Sequence, residues 1–218
     1  MKRTTLAAAV MAATLICGVT AFAAAPQSSS SMAPMVAHNQ QAGMNWFGGP
    51  IYHGQPDLAA TAALVKAGGG TSDFSFSKAL VAMLGQKTVD AEVAKLTRQY
   101  GKQNTDNFLN GATFVVQDAL KRATEKGIKL PPPADLHGAA LAKGLVKLGT
   151  APDGTFWAGY LLDHTLSHDL HNQIMADIDA NPKLGMKADA TTHKILNQAM
   201  YDVAQAEGMK DVKLASFH

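Results

Sequence analysis

Apolar residues recur every three or four positions along most of the chain after Pro56, a spacing that places them on one face of an α-helix. Glycines, prolines and capping residues such as Asp135 interrupt this pattern at short intervals, so each apolar run has the length of one helix. The predicted helices span residues 56–67, 75–84, 88–100, 104–126, 135–148, 155–179 and 188–207. We find no convincing strand pattern. The sequence therefore predicts an all-α helical bundle of about six to seven helices over residues 56–218.

The two halves of this helical region resemble each other. The matched segments are 64–68 (LVKAG) with 145–149 (LVKLG), Phe74 with Phe156, 108–116 (FLNGATFVV) with 195–203 (ILNQAMYDV), and 128–130 with 212–214. Their order is kept while the offset varies between 81 and 87 residues. This favours a tandem duplication of a three- or four-helix unit, with halves 56–130 and 135–214 on either side of the Pro131 to Pro133 break. The alternative is a chance likeness between amphipathic helices.

Residues 1–23 have the organisation of a secretory signal peptide. Lys2 and Arg3 precede an apolar run that ends in Ala21-Phe22-Ala23, a typical cleavage pattern. The alternative is a membrane anchor, but a polar, serine-rich tract follows the run in place of basic residues. We expect cleavage after Ala23.

Cleavage would change both the redox chemistry and the charge of the chain. It removes Cys17, the only cysteine, which excludes disulfides, thiolate zinc sites, iron–sulfur clusters and covalent C-x-x-C-H haem. It also removes Lys2 and Arg3 from the 19 basic residues, which leaves 17 against 17 acidic ones. A neutral chain argues against binding to nucleic acid or to an anionic membrane surface. The expected location is the bacterial periplasm.

Residues 24–55 are rich in proline, glycine, serine and glutamine and show no apolar period, which predicts an extended or disordered arm. Its end carries four large side chains, Trp46, Phe47, Ile51 and Tyr52, which we expect to dock on the helical body of the protein or on a partner subunit. Earlier in the arm, Met32, Met35, His38 and Met44 form a weak pattern of soft ligands for Cu(I).

Three histidines form the only pattern that suggests chemistry. His164, His168 and His171 lie four and three residues apart, so on one continuous helix 155–179 they would share a face with Trp157, Leu161, Met175 and Ile178. Together with His193 they are candidate ligands for a metal ion or a haem. On that helix Asp163 and Asp169 would point away from the stripe, so no carboxylate would orient the imidazoles. Packed or interfacial histidines are therefore the favoured interpretation.

No catalytic set accompanies these histidines. The chain lacks a glycine-rich phosphate loop, a G-x-S-x-G elbow and an H-E-x-x-H motif. We therefore expect no catalytic residues, no bound cofactor and no catalytic centre, and a protein that binds other proteins.

The stretches 45–50 (NWFGGP) and 162–168 (LDHTLSH), with the overall build of the chain, resemble the small third subunit of membrane-bound quinohaemoprotein alcohol dehydrogenases of acetic acid bacteria. This resemblance implies a periplasmic accessory subunit without cofactors. Such a subunit supports the assembly or stability of a pyrroloquinoline-quinone dehydrogenase that oxidises ethanol. Its partners would be the larger dehydrogenase subunit and the cytochrome c subunit, which would hold it at the inner membrane. The alternative function is that of a periplasmic haem- or metal-binding helical protein that uses the histidine stripe.

Overall fold

The computed structural model describes residues 48–185 and 187–216. Eight α-helices occur in this part of the chain: α1 (Leu58–Ala67), α2 (Phe76–Leu84), α3 (Gln86–Tyr100), α4 (Lys102–Glu125), α5 (Gly138–Gly149), α6 (Ala158–Leu166), α7 (His168–Ala180) and α8 (Ala190–Ala206). A 3-10 turn, Pro182–Leu184, joins α7 to α8. The predicted all-α class is confirmed.

The prediction differs from the structure in two respects. The predicted helix 155–179 is wrong as a single element, because it divides into α6 and α7 at Ser167, and this division raises the number of helices to eight in the described chain. The expectation of no strand is also wrong in detail. Two short strands, β1 (Thr155–Phe156) and β2 (Lys213–Leu214), pair in parallel and tie the end of the chain to the start of α6.

Local capping explains most of the helix boundaries. The carboxylate of Asp57 accepts a hydrogen bond of 2.9 Å from the N–H of Ala60 at the start of α1, and Asp189 accepts one of 3.0 Å from Thr192 at the start of α8. Gly85 and Gly101, both with positive φ, begin α3 and α4 directly after the preceding helix. These two helices therefore start two or three residues earlier than Thr88 and Asn104 predict.

The main core lies where α1, α2, α5, α6 and α8 meet. Phe74 and Phe156, which the sequence comparison pairs, are both buried in it, at 2 % and 0 % exposure. Each ring packs against the glycine that ends the preceding helix, Gly68 or Gly149, where a Cβ would overlap the ring. The two halves therefore bury their matching aromatic side chain in the same way.

The joints that follow these rings also match. The N–H of Ser75 donates to the carbonyl of Gly68 over 3.0 Å, and the N–H of Trp157 donates to that of Gly149 over 2.9 Å. Ser75 and Trp157 have the same extended backbone, with φ of -133° and -129°. One helix further on, Gly85 (φ 79°, ψ 149°) and Ser167 (φ 75°, ψ 151°) adopt the same unusual conformation. The backbone is therefore alike at these positions, which lie 82 residues apart, and the tandem duplication stays a prediction.

Ser167 is the only non-glycine residue with a positive φ in the described chain. Its backbone lies in a region that essentially only glycine occupies, at a cost of about 1 to 3 kcal/mol. We therefore expect Ser167→Gly to raise the free energy of unfolding by about 1 kcal/mol, after the loss of a weak serine cap worth a few tenths. Chemical denaturation measures this difference.

Gly85 provides the reciprocal control. Nothing lies within 4 Å of a Cβ built on Gly85, so Gly85→Ser adds backbone strain without a steric clash. This variant should lose about 1 to 2 kcal/mol. A loss of stability in Ser167→Gly would contradict the strain at this joint.

Within residues 48–185 and 187–216, none of the helices combines the length and the hydropathy that crossing a bilayer requires.

Candidate functional site

The joint between α6 and α7 positions the polar cluster of the protein. α6 ends when the N–H of Ser167 donates to the carbonyl of Asp163 over 3.0 Å, and α7 begins when the N–H of His171 donates to the carbonyl of Ser167 over 2.9 Å. The left-handed backbone of Ser167 turns the chain sharply between these two bonds. We call the segment from Asp163 to His171 the elbow.

The elbow brings one carboxylate and two imidazoles together. Oδ1 of Asp163 accepts hydrogen bonds from Nδ1 of His171 over 2.7 Å and from Nδ1 of His168 over 3.0 Å. Because a carboxylate only accepts, both Nδ1 atoms carry a proton in this arrangement. The expectation that no carboxylate supports the histidines is wrong, because it assumed a straight helix through Ser167.

The remaining oxygen of Asp163 is also paired. Oδ2 accepts a hydrogen bond of 3.1 Å from the backbone N–H of Tyr52. Asp163 is fully buried, and burial alone would raise the pKa of its carboxyl group. The hydrogen bond and charge interaction with His171, the hydrogen bond from His168 and that from Tyr52 outweigh burial and lower the pKa. Asp163 is therefore a buried carboxylate that stays ionised.

The end of the predicted arm packs on this elbow. The ring of Tyr52 stacks on His164, with 3.5 Å between ring centroids, and His53 meets His168 edge to face at 5.9 Å. The N–H of Asp57 donates to the carbonyl of His164 over 2.6 Å. Tyr52 thus docks on the helical body of its own chain. The described arm residues 48–55 contain no helix or strand, and Ile51 is half-buried.

Trp46, Phe47 and the candidate copper ligands Met32, Met35, His38 and Met44 lie outside the described residues.

His164 and His193 do not join the cluster of ligand atoms. Nδ1 of His164 donates to the carbonyl of Tyr160 over 2.9 Å, and its ring faces Tyr52. Nδ1 of His193 donates to the carbonyl of Asp189 over 2.8 Å. Burial lowers the pKa of His193 to about 4, so its imidazole is neutral at physiological pH. Of the four candidate histidines, His168 and His171 lie close enough to share one ion. Asp163, which one straight helix would point away from them, lies beside both.

The three ligand atoms of Asp163, His168 and His171 all lie within 4.8 Å of one another. Ligand atoms around a tetrahedral zinc ion are about 3.4 Å apart. An ion would therefore need the Oδ1 to Nδ1 contacts of 2.7 Å and 3.0 Å to open by about 0.7 Å and about 0.4 Å. Each imidazole that binds through Nδ1 would have to move its proton to Nε2. The amide of Asn172, which lies 3.0 Å from Nε2 of His168, accommodates this change because it offers both a donor and an acceptor.

A joint with the same backbone as the elbow occurs in the first half of the chain, where this polar cluster is absent. Phe74 lies 82 residues before Phe156. The same offset matches Asp163, His168 and His171 with Val81, Gln86 and Val89. The backbone at Gly85 nevertheless matches that at Ser167. The turn at Gly85 therefore forms without a carboxylate and two imidazoles, at a residue that adopts a positive φ without strain.

A second polar cluster joins α3 to α8. Lys95 forms an ion pair with Asp202, and burial, followed by a hydrogen bond with Asp202, raises the pKa of Glu92 to about 7. The ion pair of Lys95 with Asp202 and the hydrogen bond of Glu92 with Asp202 hold the two helices together. We assign these three side chains a structural role.

The helices also enclose a large apolar cavity of about 470 Å³. This cavity lies alongside α4, between helices of both halves, with Thr61, Leu166, Leu170 and His193 among its walls.

Comparison of the chain with protein-family models, with curated proteins and with solved structures finds no match.

Proposed function

We propose that this protein is a non-catalytic helical protein that binds one divalent transition-metal ion through Asp163, His168 and His171. The observation that carries the proposal is the convergence of one carboxylate and two imidazoles within 4.8 Å at the elbow. Two imidazoles and one carboxylate are a ligand set that suits zinc, and also iron or copper, with a further position left for water. The matching joint at Gly85 lacks these three residues, which supports a function for them that is particular to the elbow.

Burial distinguishes this site from a catalytic one. Asp163 is 0 % exposed and His171 is 5 % exposed, so a substrate would have access mainly from the side of His168. His53 covers part of that side, and the backbone N–H of Tyr52 is bonded to Asp163. The arrangement suits an ion that fixes the arm segment and the elbow to each other.

Zinc binding tests the proposal directly. Purified protein without a histidine tag, stripped with a chelator, should bind one Zn²⁺ per chain in isothermal titration. His168→Ala and His171→Ala should each weaken binding by roughly 100-fold or more, because each removes one of only three protein ligands. The control variants are His164→Ala, next to the site, and His137→Ala, which is exposed; both should keep the affinity of the original protein.

The result against the proposal is equally clear. Equal zinc affinity in the original protein and in a His168→Ala, His171→Ala double variant would show that the elbow does not bind the ion.

We also propose, as a second function, the role of a periplasmic accessory subunit of a quinone-dependent alcohol dehydrogenase. The likeness of segments 45–50 and 162–168 to that family supports it, and so does a buried polar cluster that offers little access to a substrate. Affinity purification from the native membrane should recover a larger dehydrogenase subunit and a cytochrome c. Osmotic shock should release the unbound protein with the periplasmic fraction. Purification of the protein alone, at full abundance, would contradict this role.

A further inference from the structure

The cavity inside the bundle is long rather than round. Its walls follow α4 from Phe108 to Ala123, a distance of about 22 Å at the rise of an α-helix. Phe108 packs with Ile195 of α8, so this end of the cavity lies deep between the two halves. At the other end the lining residues Gln55, Lys126 and Ile128 are exposed to solvent, which places the mouth there.

The walls offer a ligand almost no hydrogen bonds. Most lining side chains are aliphatic or aromatic. The hydroxyl of Thr61 already donates to the carbonyl of Thr165 over 2.8 Å, and that of Thr165 donates to Leu161 over 2.9 Å. Thr192 donates to the carbonyl of Lys187 over 2.9 Å. A molecule inside the cavity therefore needs an apolar surface along most of its length.

The charge at the mouth is positive. Lys126 is the only lysine or arginine among the described lining residues, which include no aspartate or glutamate. An anionic group at the mouth would be attracted to this ammonium group while remaining in contact with water. The deep end provides no such charge, because the partly buried His193 is neutral at physiological pH.

We infer that the cavity binds one molecule of a long-chain fatty acid, with the hydrocarbon chain along α4 and the carboxylate at Lys126. The length of the cavity suits a single unbranched chain. Its apolar walls would contact the methylene groups of that chain, and Lys126 would attract the anionic head group. This site is separate from the metal ligands of the elbow, although Ser167 and Leu170 border the cavity. Neither proposal depends on the other.

Chain length and head group provide the first test. Delipidated protein should bind palmitate, measured by displacement of a fluorescent fatty acid below the micelle concentration. Affinity should rise by roughly fourfold for each added methylene group between the eight-carbon and twelve-carbon acids. Affinity that does not depend on chain length would overturn the proposal.

Two substitutions locate the ligand. Lys126→Met should weaken palmitate binding by up to about fivefold while leaving binding of the uncharged hexadecanol unchanged, since a surface ion pair contributes up to about that factor. The matched control Lys129→Met lies three residues away, outside the lining set, and should change neither affinity. Palmitate binding that is equal in Lys126→Met and the original protein would contradict the placement of the head group.

Ala119→Phe tests the cavity itself. Ala119 is buried and lines the cavity, so the larger side chain should occupy the space of the ligand and reduce palmitate binding by at least tenfold. A filled void should leave the thermal midpoint of the delipidated protein unchanged or higher, whereas overpacking of a solid core would lower it. Full palmitate binding in a folded Ala119→Phe variant would overturn the proposal, and a lower midpoint in this variant would argue against the cavity.

Discussion

Replacing Asp163 by alanine should lower the free energy of unfolding of the metal-free protein by about 3 to 5 kcal/mol, the usual cost of removing one partner from a buried charged network. The substitution leaves three donors without an acceptor: the buried Nδ1–H group of His171, and the part-buried Nδ1–H group of His168 and backbone N–H of Tyr52. Urea denaturation at pH 7 in the presence of a chelator measures the loss.

Asp169 provides the matched control for this substitution. It is exposed, six residues further along, in the first turn of α7. Asp169→Ala should cost about 0.3 to 1 kcal/mol, the value of an exposed carboxylate at a helix N-terminus. An equal, small loss in both variants would show that Asp163 does not organise the elbow.

Acid should destabilise the protein through His193 before it affects Asp163. Burial of the ring is the main reason why the pKa of His193 is lowered from 6.5 to about 4, and the charge of His171 contributes in the same direction. The hydrogen bond to the carbonyl of Asp189 and the charge of the Asp189 carboxylate act in the opposite direction. Between these two values the unfolded chain binds a proton that the folded protein excludes. The corresponding stability is complete above pH 6.5 and is lost as the pH falls towards 4, by about 3 kcal/mol in total.

His193→Gln should remove most of this dependence. Its free energy of unfolding, measured with urea at several pH values between 7 and 4.5 with a chelator present, should vary much less than that of the original protein. The exposed His137 provides the control, and His137→Gln should leave the pH profile unchanged. A profile of His193→Gln that follows the original protein would contradict the burial of a neutral imidazole at this position.

The lowered pKa of Asp163 acts in a different window. Its contribution to stability is present above its ordinary pKa near 3.8 and is lost as the pH falls below that value. The two groups can therefore be distinguished in one pH series.

The helices could be predicted from the sequence because apolar spacing and glycine or proline interruptions act locally. The break at Ser167 could not be predicted from these signals, because the four-and-three spacing of apolar and histidine residues continues through it. Serine also gives no indication of a positive φ. The available signal lay in the repeat, since the residue matched to Ser167 is Gly85, which ends a predicted helix.

The same break explains which part of the site was missed. His168 and His171 lie on one helix, so the argument from helical spacing holds for them. Asp163 and His164 lie on the preceding helix, whose direction relative to α7 depends on the backbone of Ser167. A single aspartate among apolar residues, at a position where the first half has Val81, was the signal for a buried carboxylate. The cavity had no sequence signal, because it depends on how several helices pack.

The most direct test of the metal site is anomalous diffraction at the zinc edge from crystals of the zinc-loaded protein. We expect one strong peak per chain, about 2.0 to 2.2 Å from a carboxylate oxygen of Asp163 and from one ring nitrogen each of His168 and His171. A peak at other side chains, or no peak in crystals grown with stoichiometric zinc, would contradict the assignment of the elbow as a metal-binding site.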